Sequence, residues 1–180
     1  MSLKESTMVP LGVACPDFTL PGVDGRLWSL HDVHTPALLV VVMCNHCPYV
    51  QAIDGRLEAL ARAQAGRCAV VAISANDAVS HPEDSFEAMR KRAHAHGYTF
   101  PYLWDEEQTV VKALGAVCTP DFFLYDSHRR LAYRGRLDDN WKDATRVTRH
   151  DLSEAIEGVL AGQEPLEVQH PSMGCSIKWR

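Results

Sequence analysis

An unbroken apolar run, Ala37–Met43, leads directly into Cys44-Asn45-His46-Cys47-Pro48. A strand that is buried on both faces has this composition, because it presents no polar side to water. Beyond Pro48, apolar residues recur at helical spacing as far as Gly66, which predicts a helix. The chain therefore places a strand, two cysteines separated by two residues, and a helix in immediate succession.

The rest of the chain alternates strand-like and helical patterns, which predicts one α/β domain. We expect this domain to span residues 10–162, with residues 163–180 forming an extended tail that packs on it. Hairpins are predicted at Asp17–Leu20 with Leu27–Leu30 and at Phe122–Tyr125 with Leu131–Gly135. Further strands are predicted at Cys68–Ser74 and Tyr102–Trp104. Helices are predicted at Glu83–His96 and Gln108–Leu114, and a last helix, capped by Asp151 or Ser153, is predicted to run to Leu160.

Charge and hydropathy exclude several classes of protein. The net charge is −5, from 18 basic and 23 acidic residues, so no nucleic-acid footprint is expected. No stretch approaches the roughly 20 apolar residues of a membrane span, and Met1–Cys15 lacks the apolar run of a signal peptide. We therefore expect a cytoplasmic protein, in which the six cysteines serve catalysis or metal binding rather than structural disulfides.

Cys44 and Cys47 are the only cysteines whose spacing has a specific chemical meaning. The N–H groups at a helix start favour negative charge, and the thiolate is the reactive form of cysteine. We therefore expect Cys44, at the exposed end, to have the lower pKa and to be the nucleophile, while Cys47 resolves the mixed disulfide. A protonated His46 would stabilise the Cys44 thiolate. A zinc site needs a second ligand pair at suitable spacing, which the sequence lacks.

A second signature is Cys118-Thr119-Pro120-Asp121-Phe122, between a short helix and an apolar strand. Because proline cannot donate to a sheet ladder, Pro120 marks a strand start or a special loop. Cys118 is interpreted either as a buried packing thiol or as an alternative disulfide partner. An extended segment from Gly162 to Cys175 can span about 43 Å, compared with a domain diameter of about 40 Å. Cys175 can therefore reach the dithiol as a resolving cysteine, or serve packing or subunit pairing.

These motifs resemble the thioredoxin superfamily, and more closely its peroxiredoxin-like, thiol-specific antioxidant (alkyl hydroperoxide reductase-like) subgroup. The resemblance implies a thioredoxin-like fold: a central mixed β-sheet flanked by helices, with an N-terminal β-hairpin and an extended C-terminal tail. It also implies a cis peptide bond before Pro120, packed beside the dithiol, and a strongly oxidising Cys44–Cys47 pair because of His46. The matching segments are Phe18-Thr19-Leu20, Asn45-His46-Cys47-Pro48-Tyr49-Val50, Ala75-Asn76-Asp77, Phe100-Pro101-Tyr102-Leu103, Cys118–Leu124 and Gly174–Trp179.

The chain departs from the peroxiredoxin pattern at its centre. If Cys47 is aligned with the peroxide-attacking residue, Val40 and Cys44 stand where the family has proline and threonine. If Cys44 is aligned instead, Ala37 and Val41 stand there, so neither alignment matches the family pattern. Arg134 and Arg136 are only remote candidates for the peroxide-assisting arginine. The strand before the dithiol has no carboxylate, so proton transfer from Cys47 would need His46, Asp121 or water.

Three functions follow from this interpretation. The first is a thiol-disulfide oxidoreductase acting on protein or small-molecule disulfides, with a thioredoxin- or glutathione-type electron donor and no cofactor. The second is a peroxiredoxin-like peroxidase acting on hydroperoxides. The third is a copper carrier using Cys44, Cys47 and a distant histidine. In the redox functions Asn45, His46, Pro48, Thr119 and Pro120 support the two cysteines, and the protein is a monomer or homodimer.

Overall fold

The structure, a computed structural model, describes residues 3–180. The strands are β1 (Leu3–Glu5), β2 (Thr19–Pro21), β3 (Leu27–Ser29), β4 (Ala37–Val42), β5 (Cys68–Ser74), β6 (Tyr102–Trp104), β7 (Cys118–Thr119), β8 (Asp121–Tyr125), β9 (Leu131–Gly135) and β10 (Met173–Ser176). The helices are α1 (Pro48–Ala63), α2 (Phe86–His96), α3 (Thr109–Leu114) and α4 (Asp151–Leu160). Among these residues, no helix combines the length and apolar character needed to cross a membrane.

A five-stranded mixed sheet in the order β6-β5-β4-β8-β9 forms the centre of the molecule. The apolar strand β4 is its middle strand, parallel to β5 and antiparallel to β8. Every residue of β4 is at most 1% exposed, because helices or loops cover both faces of the sheet. The thioredoxin-like α/β fold expected from the resemblance is therefore confirmed, including the N-terminal hairpin of β2 and β3.

Successive side chains of β4 enter two different cores, as the two-residue period of a strand requires. Leu39 and Val41 pack on one face with side chains of α1, α2 and α4. Leu38 and Val40 pack on the opposite face with α3 and the segment around the first hairpin. The dithiol follows β4 and therefore lies at the C-terminal end of the middle strand of the sheet.

Two helix starts differ from the sequence prediction. Helix α2 begins at Phe86 rather than Glu83, because Ser85 caps it by accepting the N–H of Ala88 while residues 82–84 form a separate 3₁₀ turn. Helix α4 is preceded by His150 without a side-chain cap, so the prediction that Asp151 or Ser153 is the cap was wrong. Asp151 instead forms ion pairs with two arginines from other segments.

Part of the predicted extended tail forms a strand that the sequence did not predict. Strand β10 lies between β1 and β7 and is antiparallel to both. The two pairings join the beginning of the chain and its end to the loop before Pro120. Cys175 is consequently placed opposite Thr119 in the β10–β7 register.

Candidate active site

The dithiol spans the junction between β4 and α1. Cys47 is the N-cap residue of α1, and Pro48 occupies the first helical turn, where its missing N–H removes no intrahelical hydrogen bond. Both sulfur-bearing residues are buried, with Cys44 1% and Cys47 0% exposed. The expectation of an exposed Cys44 was wrong, because the loop before α2 and the loop before Pro120 close over it. Asn45 binds the loop before α2, because its Nδ2 donates to the carbonyl of Glu83, at 2.9 Å.

Thr119 contacts both sulfurs of the dithiol. Its Oγ1 lies 3.4 Å from Cys44 Sγ, and its carbonyl oxygen lies 3.1 Å from Cys47 Sγ. The Thr119–Pro120 peptide bond is cis, as the resemblance implied. The segment that the sequence analysis placed beside the dithiol therefore forms one wall of the site.

The two additional cysteines have different surroundings. Cys175 Sγ lies 3.0 Å from Cys47 Sγ, whereas a disulfide bond measures about 2.05 Å. Cys118 is 0% exposed, its thiol directed at the carbonyl of Pro120, at 3.8 Å. Burial raises the pKa of Cys118 strongly, so its thiol stays protonated. The structure thus brings Cys175, and not Cys118, into direct contact with the dithiol.

A buried carboxylate that the sequence analysis did not identify, Asp84, completes the site. Its Oδ1 accepts the backbone N–H groups of Asn45, at 2.7 Å, and His46, at 3.2 Å. Its Oδ2 accepts Nδ2 of Asn76 at 2.7 Å and lies 2.5 Å from Nδ1 of His46. The sequence signal for this residue is the proline-initiated turn ending at the Ser85 cap, which separates Asp84 from the helix that follows.

His46 is directed towards Asp84 rather than left available to stabilise a Cys44 thiolate. Its side chain is 11% exposed, and the ring stacks on His81 with centroids 5.2 Å apart. Nδ1 lies between the Asp84 carboxylate and the more distant Glu83 carboxylate, which is 4.0 Å away. His81 therefore contributes to one wall of the site.

The electrostatics of the dithiol favour negative charge on its second sulfur. The neighbouring Cys44 thiol has the largest effect and, against burial, lowers the pKa of Cys47 to about 4. The pKa of Cys44 is raised well above its usual value by its hydrogen bond with Cys47, by burial and by the Asp84 charge. The Asp84 charge thus adds to the effects of Cys47 and of burial on Cys44, and the assignment of Cys44 as the nucleophile stays a prediction.

Neither remote arginine is directed at the sulfurs. Arg134 donates from Nη1 to Gln169 Oε1, at 2.8 Å, and Arg136 donates from Nε to Asp151 Oδ2, also at 2.8 Å. Asp121, which follows Pro120 on β8, is 0% exposed, and burial raises its pKa well above the usual range. A carboxyl group held in its neutral form can supply a proton, so Asp121 keeps that expected role as a candidate.

One group of side chains has the donor types of a metal site. Ligand atoms of Cys44, His46 and Asp84 lie within 4.8 Å of one another. Both Asp84 oxygens, however, already accept N–H groups, and the positive end of α1 disfavours a cation. We therefore assign these residues no metal. The copper hypothesis required a histidine distant in sequence. The histidine in this group is instead His46, whose Nδ1 already contacts Asp84.

Comparison with known proteins identifies the family. The model of the AhpC/TSA family matches residues 11–134. The chain therefore belongs to the AhpC/TSA family, and it is an oxidoreductase whose chemistry is of the thiol-disulfide or peroxidase type. No curated protein matches the chain.

Two solved structures are similar over almost the whole chain. A hypothetical protein from Sinorhizobium meliloti is 45% identical, with a TM-score of 0.93 and 98% of each chain covered. An uncharacterized conserved protein from Geobacillus kaustophilus is 43% identical, with a TM-score of 0.95, covering 100% of this chain and 97% of its own. A secreted Mycobacterium tuberculosis disulfide oxidoreductase shares the fold, at 16% identity and a TM-score of 0.61, covering 78% of this chain and 95% of its own.

Proposed function

We propose that the protein is a thiol-disulfide oxidoreductase that cycles between the dithiol and disulfide forms of Cys44 and Cys47. The observation that carries this proposal is the pair of buried thiols at the start of α1, both in contact with Thr119 beside the cis Pro120. One thiolate would attack a substrate disulfide and release a thiol, and the other sulfur would displace the second substrate thiol. Two electrons and two protons pass to the substrate.

Burial of the dithiol favours a small disulfide over a folded protein as the oxidant. A protein disulfide would reach the sulfurs only if the Glu83–Asp84 turn or strand β10 moved aside, since Asn45 and Thr119 are tied to these segments. A thioredoxin- or glutathione-type thiol would return the electrons. The 3.0 Å contact with Cys47 supports Cys175 as a further exchange partner, which would convert a Cys44–Cys47 disulfide into Cys47–Cys175 without a net change in oxidation state.

A peroxidase is the second candidate, and the near-complete burial of both sulfurs favours it. A hydroperoxide is small enough to enter a site whose cysteines are at most 1% exposed. A Cys47 thiolate would attack the peroxide to give a sulfenic acid and release an alcohol or water. Cys44 or Cys175 would then form a disulfide with Cys47 and release water. The absence of an arginine contact from Arg134 or Arg136 weighs against a fast reaction.

The two functions can be separated by rapid mixing of the reduced protein with one equivalent of oxidant. Hydroxyethyl disulfide and hydrogen peroxide are tested in parallel, and the resulting disulfide is mapped by mass spectrometry. Fast reduction of the disulfide, with a Cys44–Cys47 product, is the expected result. Faster consumption of peroxide than of the disulfide would favour the peroxidase.

The controls are cysteine variants. Cys47→Ser should abolish turnover of both oxidants, because Cys47 takes part in both proposed disulfides, and Cys44→Ser should abolish the Cys44–Cys47 product. Cys15→Ala is the control, because Cys15 is also a buried thiol but lies in the core on the other face of the sheet. If Cys44→Ser and Cys47→Ser both retained wild-type turnover, the dithiol would not be the reactive group.

A further inference from the structure

The contact between Cys175 and Cys47 is held by the backbone on both sides of it. The two Sγ atoms are 3.0 Å apart, close to the roughly 3–3.5 Å at which reacting atoms are poised for attack. Strand β10 pairs with β7 so that Cys175 is opposite Thr119, and Ser172 donates from Oγ to the carbonyl of Pro120, at 2.6 Å. The pairing of β10 with the cis-proline loop therefore positions the Cys175 sulfur.

Cys47 connects two sulfurs that belong to different parts of the fold. Cys44 Sγ lies within 4.8 Å of a carboxylate oxygen of Asp84, in the turn before α2. Cys175 lies instead on β10, whose other neighbour is the three-residue strand β1. Cys47 shares Thr119 with Cys44 and contacts Cys175 directly. A disulfide formed at Cys44 can thus pass through Cys47 to the β10 side.

Little structure covers the β10 side. All three residues of β1 are exposed, and Leu3, which pairs with Cys175, is 56% exposed. Such elements open at a low free energy, because few buried contacts hold them. Met173, on the same face of β10 as Cys175, is 36% exposed and lines a cavity of about 100 Å³ beside Pro120. The opening that a small thiol needs here is local and leaves the turn beside Cys44 in place.

We propose that Cys175 is a third redox cysteine, and that a low-molecular-weight thiol reduces the oxidised protein at this residue. This inference rests on the proposed disulfide exchange and names the class of its electron donor and the donor's point of entry. In the first step the Cys175 thiolate attacks Cys47 of the Cys44–Cys47 disulfide. A Cys47–Cys175 bond forms, and Cys44 leaves as a thiolate that takes up the proton lost by Cys175.

The donor completes the cycle at Cys175. A donor thiolate attacks the Cys175 sulfur, which forms a mixed disulfide and releases Cys47, and Cys47 takes up the donor's proton. A second donor thiol attacks the donor sulfur of the mixed disulfide, so that Cys175 is released as a thiol and the donor disulfide is formed. In total, two donor thiols supply two electrons and two protons, and Cys44 and Cys47 are thiols again.

Oxidation of the dithiol removes one of the effects that keep the Cys175 thiol protonated. Burial, and then the neighbouring Cys47, raise the pKa of Cys175 above its usual value, against the charge of Lys178. Within a disulfide Cys47 has neither a thiol proton nor a charge, so its contribution ends while those of burial and Lys178 remain. Cys175 therefore ionises more readily beside a disulfide than beside the reduced Cys47.

The test measures reduction separately from oxidation. Each protein is oxidised with diamide, which requires no substrate disulfide, and its reduction by glutathione is followed by acid quenching and mass spectrometry. Cys175→Ser should be reduced about 10-fold or more slowly than wild type, because the donor loses its point of entry. Its oxidation by hydroxyethyl disulfide should be unchanged, since the dithiol is intact. Cys118→Ser is the matched control: Cys118 is a buried thiol of the same three-stranded sheet, but it is directed at the carbonyl of Pro120.

Equal reduction rates for wild type and Cys175→Ser would overturn the proposal. A second measurement needs no variant: diamide-oxidised wild type should contain Cys47–Cys175 together with Cys44–Cys47, and brief exposure to glutathione should give a mixed disulfide on Cys175. A mixed disulfide on Cys44 instead, or reduction by thioredoxin but not by glutathione, would contradict donor entry at β10. If hydroxyethyl disulfide failed to oxidise wild type, the proposed function would fail, whereas the glutathione measurement would still decide the role of Cys175.

Discussion

At the scale of single residues, Thr119 is the side chain that opposes Asp84 at Cys44. Its hydroxyl lies 3.4 Å from Cys44 Sγ and lowers the pKa of that thiol, whereas the neighbouring Cys47, burial and the Asp84 charge raise it. The same residue contacts Cys47 through its carbonyl oxygen. Thr119 therefore adjusts the balance between the two sulfurs by a side chain that can be changed without altering the backbone contact.

Thr119→Val should raise the pH at which Cys44 ionises in the Cys47→Ser background. Removal of one hydrogen bond, worth about 1 kcal/mol, corresponds to a shift of roughly 0.5–1 pH unit. Thiolate absorbance measures it. Thr35→Val is the control, because its hydroxyl also bonds backbone groups but lies at the opposite end of β4 from the dithiol. A lower ionisation pH in Thr119→Val would contradict the role of the hydroxyl.

The parts of the site that are local in sequence could be predicted, and those assembled from distant segments could not. Cys44, Cys47 and Pro120 are marked by spacing and by their place next to a strand or helix. The buried carboxylate Asp84 was not predicted, because it is 40 positions from Cys44 and belongs to a turn of its own. A helical pattern carries no information about which donors a carboxylate reaches across the fold.

At the scale of elements, strand β10 is held against the site by a very close backbone approach. A Cβ atom at Gly174 would lie 1.9 Å from the carbonyl oxygen of Thr119, so only glycine fits at this position of β10. The pairing sets Cys175 opposite Thr119 and its sulfur beside Cys47. The strand thus covers the loop edge where the chain of a bound partner could otherwise pair.

Gly174→Ala should separate β10 from β7 and destabilise the protein by about 2–4 kcal/mol, as overpacking against a rigid backbone does. It should also reduce the yield of a Cys47–Cys175 disulfide on mild oxidation of Cys44→Ser. Urea unfolding and mass spectrometry provide the two readouts. Gly55→Ala is the control: that helical position has open space around it, so alanine should be neutral or stabilise by up to about 1 kcal/mol. An undiminished disulfide yield in Gly174→Ala would show that the pairing does not position Cys175.

A buried ion pair joins helix α1 to helix α2 behind the dithiol. Arg92 donates from Nη2 to Asp54 Oδ2 at 2.5 Å, and the hydroxyl of Tyr98 donates to Asp54 Oδ1 at 2.6 Å. The side chains of Arg92 and Asp54 are 13% and 6% exposed. Removing one partner leaves the other charge buried without compensation, which is far more costly than the loss of a surface pair.

Asp54→Ala should therefore destabilise the protein by about 3–5 kcal/mol in urea unfolding. Glu87→Ala removes an exposed pair with Arg90 on α2 and should cost at most about 0.5 kcal/mol. Similar losses for the two variants would mean that the Asp54 network contributes no more than a surface ion pair.

The long elements of the fold followed from sequence periodicity, whereas the short strands at its edge did not. Strands β4 and β5 and helix α1 have strong patterns and were predicted almost to their ends. Strands β1 and β10 have three and four residues, and their pairing joins the two ends of the chain. The tail-length estimate showed that Cys175 could reach the dithiol, but only the register of β10 determines which sulfur it contacts.

At the scale of the whole molecule, the sheet separates two cores, and each contains a cysteine remote from the site. Cys68 lies in the core beneath α1, and Cys15 lies in the opposite core. Burial raises the pKa of each thiol from 9.0 to about 12. These two residues therefore make the free energy of unfolding sensitive to alkaline pH without taking part in the redox chemistry.

The direction of this effect follows from proton linkage. Below pH 9 the Cys68 thiol is protonated in both the folded and unfolded states, so its contribution to stability is complete. Between pH 9 and 12 the unfolded chain loses that proton while the folded protein keeps it, so stability falls as the pH rises. The limiting slope for one such group is about 1.4 kcal/mol per pH unit.

Cys68→Ala should accordingly flatten the alkaline fall in stability by about 1 kcal/mol per pH unit above pH 9, measured by urea unfolding of the reduced proteins. The small cavity left by alanine lowers stability equally at every pH, so only the slope reports the linkage. Cys15→Ala should flatten the curve by a similar amount, because its pKa is raised to the same value in the other core. If the curves of Cys68→Ala and wild type ran parallel above pH 9, the Cys68 thiol would be ionising as easily in the folded core as in the unfolded chain. The low exposure of this side chain, 2%, argues against that outcome, because a thiolate there would lose its hydration and the charges of Arg129 and Arg67 offset only part of that loss.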